Sequence, residues 1–259
     1  MNRGLYIGAV GMTTQMSKMD AVSNNIANVN TTGFKKDGVV TRTFDDEIMY
    51  RLGEKRPIHS IFDKNNIGNM DLGLSVDQIY TDFTNGSFEK TEDKYNIAID
   101  GDGFIKINYV NKNGETSTKY TRNGALTIDA QGTLITNTGY VVQGQNGNII
   151  LPKGDIAINE FGNIYVDGEF IDAIALTSFE DNGYLKKYGE NFYDIDEGGK
   201  EIAFAGSIVQ GYIETSNVNS AKEMVEMINL SRAYEASQKV ISAQDTIMGM
   251  AASRIGSRS

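Results

Sequence analysis

Few residues in this chain have the type and spacing to do chemistry. His59 is the only histidine, and there is no cysteine at all. A histidine base needs a nucleophile motif beside it, and a metal site needs further ligands. Neither is evident, so His59 reads as a loop residue. The run Asp100-Gly101-Asp102-Gly103 has the flavour of a calcium loop, but Phe104 stands where a fifth-position ligand is required and no glycine follows it. A hairpin turn fits better. Asp45-Asp46-Glu47 could in principle supply an acid–base pair, but a solvated charge run is the simpler reading. The glycines fall in turn contexts rather than in a strand–loop–helix unit, so no phosphate cradle is expected. Thiolate chemistry and disulfides are excluded outright. The residues therefore predict no catalytic, cofactor-binding or metal site.

The elements that carry these residues are of two kinds. The first 30 residues read as a helix. Leu5, Ala9, Met12, Met16, Met19, Ser23 and Ile26 recur in alternating steps of four and three, the spacing of a coiled-coil seam. The helix should stop between Asn28 and Gly33, with Gly33 as a left-handed terminator and Phe34 a large apolar side chain just beyond. The last 40 residues read as a longer helix, capped by Asn217 or Asn219. Along it Met227, Tyr234, Ile241 and Met248 repeat every seven residues, with Ala233, Val240 and Ile247 as a parallel row. A sustained heptad predicts supercoiled helix–helix packing.

Between them, from about 76 to 216, short β-type runs such as Tyr95–Ile99, Gly103–Ile107 and Gly139–Val142 alternate with turn signals. Asp100-Gly101, Asn123-Gly124, Asn146-Gly147, Asp167-Gly168 and Asn182-Gly183 are examples. Such punctuation predicts an antiparallel sheet, sandwich or open barrel. Residues 37–75 lack periodicity and read as an extended connector with a hairpin. The expected architecture is a mainly β body with α-helical termini. The N- and C-terminal helices, in 1–36 and 217–259, pair as a coiled-coil-like assembly region, and 76–216 form a central antiparallel β domain.

Charge follows the same division. Of the net −10, residues 1–36 carry four basic groups against Asp20, and 217–259 carry five basic against four acidic, so the middle is strongly acidic. An acidic middle argues against nucleic-acid binding, and no apolar run is long enough to insert in a membrane. The start of the chain lacks the pattern of a cleavable signal peptide. The Met-rich seam of the first helix can be an ordinary core stripe or an assembly surface. Asn24, Asn25, Asn28 and Asn30 can cap and turn the helix end, or bond between subunits to fix register.

Three segments carry a family resemblance. They are Val22-Ser23-Asn24-Asn25-Ile26-Ala27-Asn28-Val29-Asn30-Thr31-Thr32-Gly33-Phe34-Lys35; Asn96–Phe104 with Tyr120-Thr121-Arg122-Asn123-Gly124, Gly132-Thr133-Leu134 and Gly139-Tyr140; and Gln210–Asn219, continued by Glu223-Met224-Val225 and Arg232-Ala233-Tyr234-Glu235. In order and in type they resemble the flagellar basal-body rod and hook protein family, and together they span nearly the whole chain. Length and a single β domain resemble the distal rod type, with the proximal rod type next. Lys106, in Ile105-Lys106-Ile107, departs from the family pattern.

The resemblance implies a structural axial subunit of the basal-body rod that needs no cofactor. It would polymerise with itself into a tube, helices within and β domain without, and transmit torque to the hook. Its partners would be neighbouring rod and hook proteins and the flagellar type III export apparatus, and it would leave the cytoplasm without a cleavable signal peptide. The implied assembly residues are Leu5, Met12, Met16, Met19, Asn24, Asn25, Ile26, Asn28, Asn30, Gly33, Phe34, Asn217, Met227, Tyr234, Ile241 and Met248. A proximal-rod or hook-type paralogue is the near alternative. A surface β binding module on a helical oligomerisation stalk is the rival of a different class.

Overall fold

The structure is a computed structural model that describes residues 3–43, 47–52, 64–70, 73–111, 114–189 and 191–256. His59, Asp45 and Asp46 lie outside the described residues, as does the side chain of Glu47. The chain divides into two units. One comprises Met1–Asn24, Asp37–Tyr80 and Ala221–Ser259; the other comprises Asn25–Lys36 and Thr81–Ser220.

The first unit is built on helix α1 (Arg3–Ala27) and helix α2 (Ser220–Gly256). α1 has no proline, and its side chains from Leu5 to Ile26 include only Lys18 and Asp20 as charges. It ends where asparagines and threonines compete for the backbone, and Gly33 then takes φ 66°. α2 runs through Gly249 without a break, sustained by Ala, Met, Glu and Gln, which all favour helix. The connector holds strands rather than bare chain. Asp37–Thr43 pairs with Leu74–Thr81, and Glu47–Leu52 forms an antiparallel hairpin with Lys64–Met70. Thr14 on α1 donates its buried hydroxyl to the carbonyls of Val10 and Leu74, joining helix to ribbon.

The second unit is the antiparallel β body. Its ten-stranded sheet centres on Phe104–Val110. That strand pairs along one edge with Thr116–Thr121, and along the other with Val141–Gly144 and Leu176–Phe179 in succession. Ile156–Ile158, Asn163–Val166 and Glu169–Ala173 make a three-stranded sheet. Two pairs then bring the C-terminal part of the body against its start: Ser207–Gln210 on Ile97–Asp100, and Tyr212–Glu214 on Phe88–Lys90.

Alternation along Ile105-Lys106-Ile107 buries both isoleucines and sends Lys106 outward to an ion pair with Glu201. That pairing gives the outward-facing lysine its partner. An aliphatic core gathers Ile97, Ile99, Ile105, Ile107, Leu134, Val142 and Ile164. Beside it Phe104, Tyr120, Phe179 and Tyr193 form an aromatic cluster, with Phe104 edge-on to Phe179 at 5.4 Å. The Asp100–Gly103 segment is a turn between two strands, with Gly101 at φ 105°.

Candidate functional sites: the helix seam and a buried clasp

In the first unit, α1 and α2 pack antiparallel with glycine at the contact. A Cβ added to Gly4 would lie 3.2 Å from Gln244 Nε2, one on Gly8 2.9 Å from Ile241 Cγ1, and one on Gly11 3.8 Å from Ser237 Oγ. The helices approach this closely because α1 offers no side chain there. On α2 the seam is Glu223, Met227, Leu230, Tyr234, Ser237, Ile241, Gln244 and Met248, in steps of four and three. Glu223 and Leu230 are buried and the rest half-buried. Ser237 satisfies its hydroxyl on the Ala233 carbonyl, so it packs without an orphaned polar group.

The heptad residues Met227, Tyr234, Ile241 and Met248 all fall on this seam. On α1 the predicted row divides: Leu5, Met12 and Met19 are half-buried, whereas Ala9 and Met16 are exposed. The face of α1 that meets α2 is the glycine row. Sequence reasoning missed it because it looked for side chains that fill space, and the contact is made by their absence.

In the second unit, the N-terminal signature segment is clasped to the β body by a buried charge cluster. Lys35, Arg122 and Glu214 are all essentially inaccessible. Lys35 Nζ donates to Glu214 Oε1 at 2.6 Å and to the Thr84 carbonyl at 2.7 Å. Arg122 Nε donates to Glu214 Oε2 at 3.2 Å, and its Nη2 donates to Asn85 Oδ1 and to the Gly101 carbonyl. Gly86 N–H supplies a further bond to Glu214 Oε1. One carboxylate therefore serves two cations and a backbone donor. Burial, reinforced by the nearby Arg122 charge, pulls the Lys35 pKa below its ordinary 10.5, against the opposing pull of Glu214.

The rest of the segment is held residue by residue. Gly33 N–H donates to the Glu214 carbonyl at 2.8 Å. Any Cβ on Gly33 would sit 2.5 Å from the Arg122 carbonyl oxygen. Thr32 donates to Asn123 Oδ1 at 2.6 Å, and its carbonyl accepts from Asn191 Nδ2. Phe34 is buried under the Lys187 ammonium, 4.0 Å from the ring centre. Asn217 accepts from Lys36 N–H and donates to the Asp82 carbonyl. Its side chain is thus committed to this clasp, and Asn219 is the residue immediately before α2. Of the asparagines, Asn25 is fully buried, Asn28 is half-buried and accepts from Thr31 Oγ1, and Asn24 and Asn30 are exposed; Ile26 is half-buried.

The clasp brings together the three segments that carry the family resemblance: Thr32–Lys35, Arg122-Asn123 and Glu214–Asn217. Lys35, Arg122 and Glu214 lie in those segments, but nothing local gives them a role; a charged residue ending the strand Tyr212-Ile213-Glu214 is the one available hint. Among the described residues, no group of three or more His, Cys, Asp or Glu side chains is arranged to hold a metal ion. No helix among them is long and apolar enough to cross a membrane.

Comparison with known proteins matches three stretches of the chain, each containing one of the segments that meet at the clasp. Residues 5–35 match the family described as flagella basal body rod protein, 98–166 the flagellar hook protein FlgE/F/G D1 domain, and 209–254 the flagellar basal body rod FlgEFG protein C-terminal family. Among curated proteins, the chain is 34% identical to the flagellar basal-body rod protein FlgG of Borreliella burgdorferi, covering 97% of this chain and 98% of that one. It is 32% identical to FlgG of Bacillus subtilis, covering 96% and 97%. The chain belongs to the flagellar basal-body rod protein family. Within that family it is FlgG-like, although FlgF of Caulobacter vibrioides is also 30% identical over 99% of both chains. The protein is a structural subunit of the basal-body rod, and membership of the rod family implies assembly there with other rod and hook proteins.

Proposed function

We propose that this rod subunit polymerises through its two terminal helices, with 1–36 and 217–259 as the assembly region and the acidic β body 76–216 as the part that faces other surroundings. The observation that carries the proposal is that α1 and α2, already paired with each other, still present Tyr6, Met16, Met224, Val225, Ile228, Val240, Ile247 and Met250 to solvent. A helix pair that has satisfied itself has no reason to keep so much apolar surface in water. In this reading Asn24 and Asn30, exposed at the end of α1, bond between subunits, while Asn25, Gly33, Phe34 and Asn217 act by holding the signature segment in place. The subunit works without catalysis, transmits torque to the hook, and reaches the growing rod through the flagellar type III export apparatus.

The test is genetic and structural together. A strain lacking the chain should be non-motile, and its basal bodies, seen by electron microscopy, should lack a complete rod. Restoring the chain should restore both. Normal swimming and complete rods in the deletion strain would overturn the reading. Loss of the chain from the cell exterior in an export-apparatus mutant would support the route, and its continued appearance there would refute it.

A further inference from the structure

All ten methionines lie at positions 1–70 or 224–250, and none falls in the β body. The chain has neither cysteine nor tryptophan, so the body contains no sulfur and no indole. Its two cores are built from aliphatic side chains and from Phe and Tyr rings. The sulfur that a mild two-electron oxidant attacks is therefore confined to the unit of α1, α2 and their connector.

Within that unit the methionines differ in access. Met16 on α1 is 53% exposed, and on α2 Met224 is 52% and Met250 53% exposed. Met12, Met19, Met227 and Met248 are half-buried, the last two in the seam already described. Met1 and the side chains of Met49 and Met70 lie outside the described residues. Leucine has similar bulk and an equal preference for helix, so apolar area alone does not call for sulfur at the three exposed positions.

A peroxide oxidises a thioether in one two-electron step. The sulfur lone pair attacks one peroxide oxygen; an S–O bond forms and the O–O bond breaks. With hydrogen peroxide the departing oxygen takes up a proton and leaves as water. The side chain gains one oxygen and becomes polar. Backbone N–H groups inside a helix are already bonded, so the new acceptor depends on water. In the free chain water reaches all three sulfurs, and nothing that α1 and α2 bury is disturbed. The same oxygen carried into a contact with another subunit is stripped of that water, which is costly. We propose that Met16, Met224 and Met250 are an oxidation site that controls assembly: converting their thioethers to sulfoxides leaves the free chain folded and prevents it from joining the rod. The inference rests on the reading of the terminal helices as the assembly region, and adds to it a chemical switch that reduction of the sulfoxides resets.

Hydrogen peroxide is applied to the purified full-length chain, and oxygen uptake is mapped by peptide mass spectrometry. Met16, Met224 and Met250 are expected to react before Met12, Met19, Met227 and Met248, with helical dichroism and the urea midpoint unchanged. Earlier reaction in the seam, or loss of helix, would overturn the proposal. In growing cells a peroxide pulse is compared between the wild type and the triple variant Met16→Leu/Met224→Leu/Met250→Leu, with new rods counted by electron microscopy. Fewer rods in the wild type than in the triple variant is the expected result, and equal counts would refute the site. A second triple variant, Met16→Gln/Met224→Gln/Met250→Gln, decides the matter if the leucine variant builds no rods. It carries a permanent polar group on a stem of similar length and needs no oxidant. It should keep wild-type helical dichroism and yield no rods. Normal rod numbers with it would show that polarity at these positions does not control assembly. The broader reading would stand in that case, because it falls only if the strain lacking the chain still builds complete rods.

Discussion

Replacing Glu214 with glutamine tests the clasp at its centre. The carboxylate is the shared acceptor for Lys35 Nζ, Arg122 Nε and Gly86 N–H. Glutamine keeps the shape but removes the charge, leaving two buried cations with no anion between them. It also converts one oxygen to an NH2 group. If the oxygen stays toward Lys35 and Gly86, the NH2 faces Arg122 Nε, donor against donor. Removing one partner of a buried ion pair costs about 3–5 kcal/mol, and here two cations lose the same partner, so the upper part of that range is expected. That is a large share of a total stability on the order of 5–15 kcal/mol. The chain has no tryptophan but 13 tyrosines, so urea unfolding is best followed by tyrosine near-UV dichroism, which reports the packed aromatic cluster. Lys35→Met should cost much less than Glu214→Gln, because it leaves Arg122 and Glu214 as a balanced pair. In the Glu214→Gln/Lys35→Met double variant the excess charge falls, so it should be less destabilised than the sum of the two singles, with the donor–donor contact still unrelieved. A loss below about 1 kcal/mol for Glu214→Gln, or strict additivity in the double variant, would show that the cluster does not hold the body as argued.

Three further outcomes are expected. Lys35 has its folded pKa below 10.5, so between the folded and unfolded values the unfolded chain binds the additional proton, and the contribution of this group to stability rises with pH through that window. Urea midpoints measured from neutral pH to about 10.5 should show this rise in the wild type and lose it in Lys35→Met; identical profiles would contradict it. Gly33→Ala should lower the stability of the β body by more than about 1 kcal/mol, because the new methyl both opposes φ 66° and meets the Arg122 carbonyl at 2.5 Å, which thermal unfolding would detect. Gly8→Leu should force α1 off Ile241 at a cost of about 1–3 kcal/mol and reduce motility, with Ile241→Ala restoring part of it by opening space; unchanged swimming in Gly8→Leu would refute the close helix contact.

The fold was legible wherever a period or a turn residue repeats. Heptad spacing from Met227 to Met248 announces a helix that packs on another, and Asp-Gly and Asn-Gly steps announce the antiparallel body. The glycine face of α1 was not legible, because Gly4, Gly8 and Gly11 lower helix propensity and their packing value appears only once Gln244, Ile241 and Ser237 are in view. The clasp was not legible for a different reason. Lys35 and Glu214 are 179 residues apart, and no local pattern marks a lysine and a glutamate as each other's partner. Asn217 shows the same limit: its type suits a helix cap, but its carboxamide is taken by Lys36 N–H and the Asp82 carbonyl.

The clasp also bears on why a rod subunit would bury charge where apolar side chains could serve. A well-packed apolar cluster of similar volume is often as stable as a buried ion cluster or more so. What the ions add is a penalty for being nearly right. If the segment Thr32–Lys35 slips one residue one way, Phe34 takes the place of Lys35 and Glu214 loses a cation; slipped the other way, Lys36 restores the charge but Phe34 meets the Arg122 carbonyl where only Gly33 fits. An apolar contact would tolerate the slip. The three segments that meet here therefore have little freedom to vary independently. The exposed apolar faces of α1 and α2 face a looser demand, since Ala, Val, Ile and Met can exchange there while the apolar spacing is kept. Register within the subunit is set by charge.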